Sequence, residues 1–314
     1  MGKIAFLMSG QGTQNTGMGK ELREASAAAR RVFELADSVR PGTSTQCFES
    51  SKEELSQTVN TQPCVYCVDL AAAGALRESG VEPAAVAGFS LGEIAALTFS
   101  GVFAPKDGFS LVCARGRYMN DAAEQTGGGM AAILKLPNET VEELCSRRER
   151  VYPVNYNCPG QVSVAGDRGE LEALCREAAA LGGRAVPLAV SGAFHSPFMK
   201  EAGGRLAETL RELPVKAPAT PVYSDCTAAL YEADEESIKA NVVAQVSSPV
   251  RWRKILEAMR AEGIDTFVEA GPGKVLSGLV RKTLPGAAVY HVEDAETLRQ
   301  TVAALRRQGG GKEC

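Results

Sequence analysis

Histidine is nearly missing from this chain of 314 residues: there are two, His195 and His291. Any imidazole chemistry therefore has only two candidates. An excess of base is missing as well. Lysine and arginine total 34 against 38 acidic residues, a net charge of −4, so there is no excess of base to hold a phosphate backbone, and no nucleic-acid partner is expected. No run of apolar residues reaches the ~18 needed to span a membrane, and the N-terminal MGKIAFLMSGQG breaks after about six apolar residues, short of a secretory signal. The nine cysteines are odd in number and scattered. They form no disulfide framework and read as reduced thiols of a cytoplasmic protein.

What is present is ordinary for a globular protein. Hydrophobic residues make up 45% and charged residues 23%, which excludes disorder, collagen and coiled coil. The length suits roughly two domains, or one large α/β domain with an insertion. Short apolar runs alternate with helical periodicity, the signature of α/β architecture. Strands are expected at Lys3–Met8 and Ala84–Phe89. Helices are expected at Glu21–Ser38, from Gln62 to Ser79, and at Leu91–Phe99 and Pro105–Gln125. After the glycine break at 126–129 the order becomes βαββαβ: Met130–Leu136, Glu139–Arg148, Val151–Tyr156, Gln161–Ala165, Glu170–Leu181 and Arg184–Val190. That is the ferredoxin-like arrangement, here an inserted subdomain over 127–192. The α/β pattern resumes with a helix over Pro197–Leu213 and a strand at 221–225. Helices at 234–246 and 250–262, a strand at Thr266–Ala270, a helix from Gly273, a strand at Ala287–Val292 and a last helix to Gln308 complete it. The first and last parts, 1–126 and 193–314, thus form one core, and the GGGKEC tail is expected to fray.

Gly88-Phe89-Ser90-Leu91-Gly92 matches G-x-S-x-G. The string alone arises by chance with a probability of ~0.2 in a chain this long, but this copy lies between an expected strand and an expected helix. A serine there sits on a sharp, strained turn with its hydroxyl exposed, and the following N–H, that of Leu91, is free to hold an oxyanion at a helix N-terminus. The serine needs a base. His195 lies in the loop SGAFHSP between a strand and a helix, whereas His291 falls inside an apolar strand, so His195 is the candidate. A third triad member is not evident. Asp107, Asp121 and Asp167 separate the serine from the histidine in sequence, but none sits at a convincing strand end, which leaves a dyad open.

Two further signals carry less. Cys64-x-x-Cys67 has no second pair and no nearby histidine, and its segment has helical periodicity, so no metal site is expected. The glycines of SGQGTQNTGMG lack G-x-G-x-x-G spacing, so a dinucleotide loop is not supported; Gly10 and Gly12 instead free the backbone to bring Gln11 toward the serine.

Seven motifs then occur in one order: GQGTQ at 10–14, GFSLGE at 88–93, RGRYM at 115–119, NYNCPGQVSVAG at 155–166, GAFHS at 192–196, Gln245 with SSPVRW behind it, and EAGPGKVL at 269–276. Together they resemble the malonyl-CoA:acyl carrier protein transacylases, and they are similar to acyltransferase domains of polyketide synthases. The resemblance covers residues 1–308. It implies an α/β-hydrolase-like core with a parallel sheet and an inserted ferredoxin-like subdomain, and transfer of malonyl from malonyl-CoA to the phosphopantetheine thiol of holo acyl carrier protein. No bound cofactor is implied: the CoA thioester and the carrier's phosphopantetheine are substrates, and a monomer in the cytoplasm is the expectation.

Residue by residue, the resemblance makes Ser90 the nucleophile and His195 its base, oriented by a main-chain carbonyl of the loop matching Gln245. The N–H groups of Gln11 and Leu91 form the oxyanion hole. Arg115 grips the substrate's free carboxylate, as a planar guanidinium suits. Phe194 matches the malonyl-preferring form of its motif, and Asn155 joins the substrate-binding set. Arg184, Arg281 and Lys282 are the positions expected to meet CoA or the acidic carrier. Phe89 replaces a histidine usual in the family and is expected to point away from the chemistry, and Cys158 stands where serine is common, as a structural residue. Two other functions use the same elements: a thioesterase-like hydrolase, marked by rapid loss of the acyl-enzyme to water, and a catalytically silent carrier-binding module.

Overall fold

The structure, a computed structural model, describes residues 2–310. The last four residues of the GGGKEC tail lie outside the described residues. The chain begins with β1 (Lys3–Met8), whose residues after Lys3 are buried. Four helices follow: α1 (Lys20–Ala25), α2 (Ala27–Val39), α3 (Thr43–Glu49) and α4 (Lys52–Leu55). The single helix expected over Glu21–Ser38 is therefore two. Ser26 adopts extended backbone and caps α2 through its side chain, which accepts the Ala29 N–H, so the cap residue ends one helix as it starts the next. The long α5 (Thr58–Glu78) is buried on most sides and starts four residues before the expected Gln62.

β2 (Ala85–Gly88) leads into α6 (Leu91–Phe99), and α7 (Pro105–Thr126) starts with its proline at the first helical position. The next six elements are β3 (Gly129–Leu134), α8 (Asn138–Ser146), β4 (Val151–Cys158), β5 (Gln161–Gly166), α9 (Arg168–Ala180) and β6 (Arg184–Pro187). β6 is shorter than the expected Arg184–Val190, because Leu188 leaves the sheet after one last hydrogen bond to Met130. A 3-10 turn at Pro197–Met199 precedes α10 (Lys200–Arg211), so the expected Pro197–Leu213 helix begins in a tighter form. The remainder is β7 (Val222–Tyr223), α11 (Glu235–Gln245), α12 (Trp252–Ala261), β8 (Ile264–Ala270), α13 (Val275–Thr283), β9 (Ala288–Val292) and α14 (Ala295–Gly310).

Two sheets result. The first is parallel, in the order β7-β2-β1-β8-β9, and the second is antiparallel, in the order β4-β5-β3-β6. The βαββαβ run with its first strand between the third and fourth gives the ferredoxin-like sheet read from the sequence. Parallel strands buried on both faces are apolar throughout, as in β1 (IAFLM) and β2 (AVAG), with helices covering them. Packing follows the same logic: α5 and the helices against it form the larger core cluster on one face, while Trp252, Ile255, Leu256 and Met259 of α12 cover the other face. In a parallel sheet all C-terminal ends lie on one edge, where α/β folds place their sites. Here that edge carries the ends of β1, β2, β7 and β8 together.

Candidate active site

The turn after β2 brings the G-x-S-x-G serine to that edge. Ser90 has φ 58° and ψ −105°, a conformation costly for a side chain, of order 1–3 kcal/mol. The surroundings hold it there. The Phe89 N–H donates to Met8 O at 3.0 Å, the Ser90 N–H to Asp225 Oδ2 at 2.7 Å, and Gln245 Nε2 to Ser90 O at 2.6 Å. Both motif glycines are required sterically: a Cβ on Gly88 would run into the carbonyl of Gly92, and one on Gly92 would lie 2.5 Å from the carbonyl oxygens of Met8 and Ser9.

His195 arrives from the loop after β6 and also has positive φ, 59°. Its Nε2 is 2.7 Å from Ser90 Oγ and its Nδ1 is 3.0 Å from the main-chain oxygen of Gln245. A carbonyl only accepts, so Nδ1 carries the proton and Nε2 is left as acceptor for the serine hydroxyl. Burial, with the Arg115 charge as the second cause, pulls its pKa down to about 4. The ring is therefore neutral at pH 7, as a base must be. None of the three aspartates between serine and histidine contacts it: Asp121 pairs with Arg205 at 2.6 Å, Asp167 caps α9, and Asp107 sits in the first turn of α7. His291, the other histidine, is in β9 opposite Glu269.

Arg115 is 1% exposed, on α7. Its Nη2 donates to Ser90 Oγ at 3.2 Å and to Gln245 Oε1 at 2.7 Å, and its Nη1 to Gln62 Oε1 at 2.8 Å. Burial lowers its pKa to about 10, offset in part by Glu93 and Asp225, so it remains a cation at neutral pH. A cavity of about 80 Å³ opens over Ser90 and His195, lined also by Gln11, Leu91, Gln62 and Phe194. Gln62 and Ser90, both of which line it, are the residues that accept from Arg115 Nη1 and Nη2. The N–H groups of Gln11 and Leu91 have no acceptor among the described residues, and both residues border the cavity.

A second cavity of about 230 Å³ shares Gln11, Phe89, Asn155 and Leu188 with the first and extends between β4 and α13. Asn155 and Asn157 are buried there with unpartnered Oδ1 atoms. Lys282 reaches its rim, donating to Gln161 at 3.4 Å, and Arg281 lies beside it on α13. Arg184 lies on the edge strand β6 and borders neither cavity. Phe89 differs from the sequence expectation. It packs edge-on against Trp252, with centroids 5.3 Å apart, and it forms wall in both cavities instead of pointing away. A larger cavity, about 560 Å³, lies among α2, α5 and α7, away from these groups, so volume alone does not locate the site.

The sequence reading missed two groups. Asp225, just past β7, and Glu93, one turn beyond Ser90, are both buried behind the nucleophile. The signal for Asp225 was the strand end PVYSD, overlooked because it follows the histidine in sequence.

Comparison with known proteins agrees with this architecture. Residues 5–311 match the acyl transferase domain family. A malonyl CoA-acyl carrier protein transacylase of Bacillus subtilis (strain 168) is 40% identical over 315 residues, spanning 98% of this chain and 99% of that protein. The crystal structure of the Clostridium perfringens malonyl CoA-acyl carrier protein transacylase superposes with a TM-score of 0.94 at 34% identity, covering 99% of this chain and 100% of its own. A malonyl-transacylase solved in complex with a holo type II PKS acyl-carrier protein gives 0.92 at 32% identity, covering 96% and 99%. The chain belongs to the acyl transferase domain family, among the malonyl CoA-acyl carrier protein transacylases.

Proposed function

We propose that this chain moves a malonyl group from malonyl-CoA to the phosphopantetheine thiol of a holo acyl carrier protein, through a malonyl ester on Ser90, and so supplies fatty acid synthesis. The observation that carries this reading is one cluster: Ser90 Oγ lies 2.7 Å from a neutral imidazole and 3.2 Å from a buried guanidinium. The first pair makes a nucleophile, and the second selects an acyl group that ends in a carboxylate.

In the first half-reaction His195 Nε2 takes the Ser90 proton while Oγ attacks the thioester carbonyl. The oxyanion of the tetrahedral intermediate is held by the Gln11 and Leu91 N–H groups, the latter at the N-terminus of α6. The C–S bond breaks, and the CoA thiolate leaves with the proton from His195. In the second half-reaction the carrier's thiol gives its proton to His195 and attacks the ester, and Ser90 regains its proton. Gln245 fixes the imidazole through its carbonyl, and its side chain holds Arg115. The malonyl carboxylate replaces Gln62 Oε1 at Arg115 Nη1, with Phe194 bounding the acyl end. The thiol-bearing arm lies in the second cavity, whose unpartnered Asn155 and Asn157 carbonyls suit its amides. Lys282 and Arg281 meet the acidic carrier at the rim, and Arg184 a more distant part of it. No step calls for a metal or bound cofactor. The reading divides the chain into a catalytic part, 1–126 and 193–314, and a small subdomain, 127–192, supported by antiparallel strands that all fall between 129 and 187. It places a monomer in the cytoplasm, in keeping with eight described cysteines that are all unpaired.

Exchange of labelled CoA into malonyl-CoA, with the carrier protein left out, tests the covalent route. Exchange is expected, with parallel lines in double-reciprocal plots once the carrier is added. If exchange appears only in the presence of carrier, transfer is direct and the acyl-serine route fails.

A further inference from the structure

Behind the nucleophile lies an acidic pair that the mechanism above does not use. Glu93 is one turn into α6. Asp225 follows β7, and because β7 runs parallel to β2, with Ala87 opposite Tyr223, it emerges beside Ser90. Both side chains are buried, at 1% and 0% exposure. Asp225 Oδ2 accepts the Ser90 N–H at 2.7 Å and Gln245 Nε2 at 3.2 Å. Glu93 Oε1 accepts the Asp225 N–H at 3.0 Å and the Tyr231 hydroxyl at 2.8 Å. The two remaining oxygens, Glu93 Oε2 and Asp225 Oδ1, have no partner among the described residues, although the Asp225 N–H bond to Glu93 ties the two residues together.

Two ionised carboxylates on directly bonded residues in a dry interior repel each other, and two orphaned acceptors are each unfavourable. One proton between them removes both problems and leaves one negative charge. Among the described residues, the buried cation nearby, Arg115, bonds to no carboxylate; its partners are Gln62, Gln245 and Ser90. Gln245 joins the two charges, accepting from Arg115 through Oε1 and donating to Asp225 through Nε2.

We infer that Glu93 and Asp225 share a single proton and act together as a positioning device: Asp225 holds the Ser90 amide in its strained turn, and the pair's one negative charge is the internal counter-charge of Arg115, relayed through Gln245. The ionisable groups around them agree. Burial raises both carboxyls, and the Glu93 charge raises Asp225 further. Tyr231 and Cys226, on the segment after β7, are pushed up and stay neutral, and His195 is pushed down and stays neutral. At pH 7 the buried groups of the cluster therefore hold two charges, Arg115 and the pair, and the half-buried Arg251 guanidinium, donating to Cys226 O at 2.7 Å, is a further cation beside them. The arrangement keeps the guanidinium protonated without covering it with a carboxylate that a substrate would have to displace.

The inference rests on the proposed acyl transfer for its kinetic test and on spectroscopy for a second, independent one. In Glu93→Gln or Asp225→Asn an amide N–H takes the place of the shared proton and the partner ionises, so the charge survives. Each single change is expected to lower kcat/KM for malonyl transfer by about three- to tenfold. Glu93→Gln/Asp225→Asn keeps shape and hydrogen bonds but removes the charge. It is expected to lose about 1000-fold, well beyond the product of the singles, and its alkaline limb, set by Arg115, moves to lower pH. A double variant whose loss equals the product of the singles, with an unshifted limb, overturns the counter-charge. Difference infrared spectra at neutral pH read the proton directly. Parent-minus-variant spectra are expected to show one carboxylic-acid carbonyl band lost in each single variant, the band of the buried Asp69, whose pKa burial also raises, cancelling because every form shares it; no lost band in either variant overturns the shared proton even if the double variant does not fold. A parent protein that shows the band but forms no malonyl-enzyme refutes the proposed function and leaves the pair standing.

Discussion

Arg115→Met separates the two roles that a buried guanidinium plays beside the nucleophile. Methionine fills much of the same space with no charge and no donor. On the proposed assignment it removes a charge-assisted contact to the malonyl carboxylate, worth about 1.5–3 kcal/mol. At 1.4 kcal/mol per decade, that is a fall of about 10–150-fold in malonyl over acetyl preference. The structure adds a second effect with a definite sign. Arg115 is the second cause, after burial, of the low His195 pKa of about 4, against an ordinary value of 6.5. The base works when neutral, so activity is lost as pH falls through that pKa. Removing the cation raises it, and the acid limb of kcat/KM moves up by about one unit or less, since burial remains. A third effect is structural: the Oε1 atoms of Gln62 and Gln245 lose their donor, at about 1–3 kcal/mol each, so the variant melts lower. The assay is kcat/KM for malonyl-CoA and acetyl-CoA with saturating holo carrier, across the acid range, on protein shown to be folded. An unchanged malonyl-to-acetyl ratio, or an acid limb that moves down, refutes the reasoning.

Other expectations follow from single contacts. In the parent enzyme, kcat/KM is flat near neutrality, falls below about pH 4 as His195 protonates, and falls above about pH 10 as Arg115 deprotonates; a pH profile checks both limbs. Gly92→Ala drives a Cβ to 2.5 Å from the Met8 and Ser9 carbonyls and is expected to cost about 2–4 kcal/mol, read from denaturant unfolding. Phe89→Ala removes wall shared by the two cavities and the contact to Trp252. It is expected to speed hydrolysis of the malonyl-enzyme, measured as malonate release without carrier. Lys282→Glu with Arg281→Glu raises the carrier's KM and leaves CoA exchange intact, as steady-state kinetics of the two half-reactions would show.

Much of this molecule is visible in its sequence, for reasons that differ from one residue to the next. β1 after Lys3 and the whole of β2 are short and apolar, so their place in a parallel sheet could be read directly, and the glycine break at 126–129 announces the antiparallel insertion. The serine turn is legible because its glycines are imposed by contacts within a few residues and between β1 and α6. With two histidines in the chain, loop against strand separates His195 from His291, and only the former meets Ser90. Arg115, by contrast, has no local signal. It reads as an ordinary helix arginine until α5 and α11 bring Gln62 and Gln245 against it. Asp225 is hidden for the same reason: its neighbour Ser90 is 135 residues away, joined through a two-residue strand. The division at Ser26 and the helices over 43–55 were missed because a capping serine inside a periodic run, and short polar helices, leave the apolar spacing uninformative. Phe89 shows the limit of reasoning from the elbow alone. Its direction is set by Trp252, which comes from the far end of the chain.

On the proposed route Ser90 carries the malonyl group between two thiols. Intact-protein mass spectrometry tests it most directly, after brief mixing with malonyl-CoA and again after holo carrier protein is added. One malonyl increment is expected on the enzyme, absent from Ser90→Ala, that leaves the enzyme and reappears on the carrier. An increment that persists in Ser90→Ala, or one that decays to free malonate while the carrier gains nothing, would contradict it.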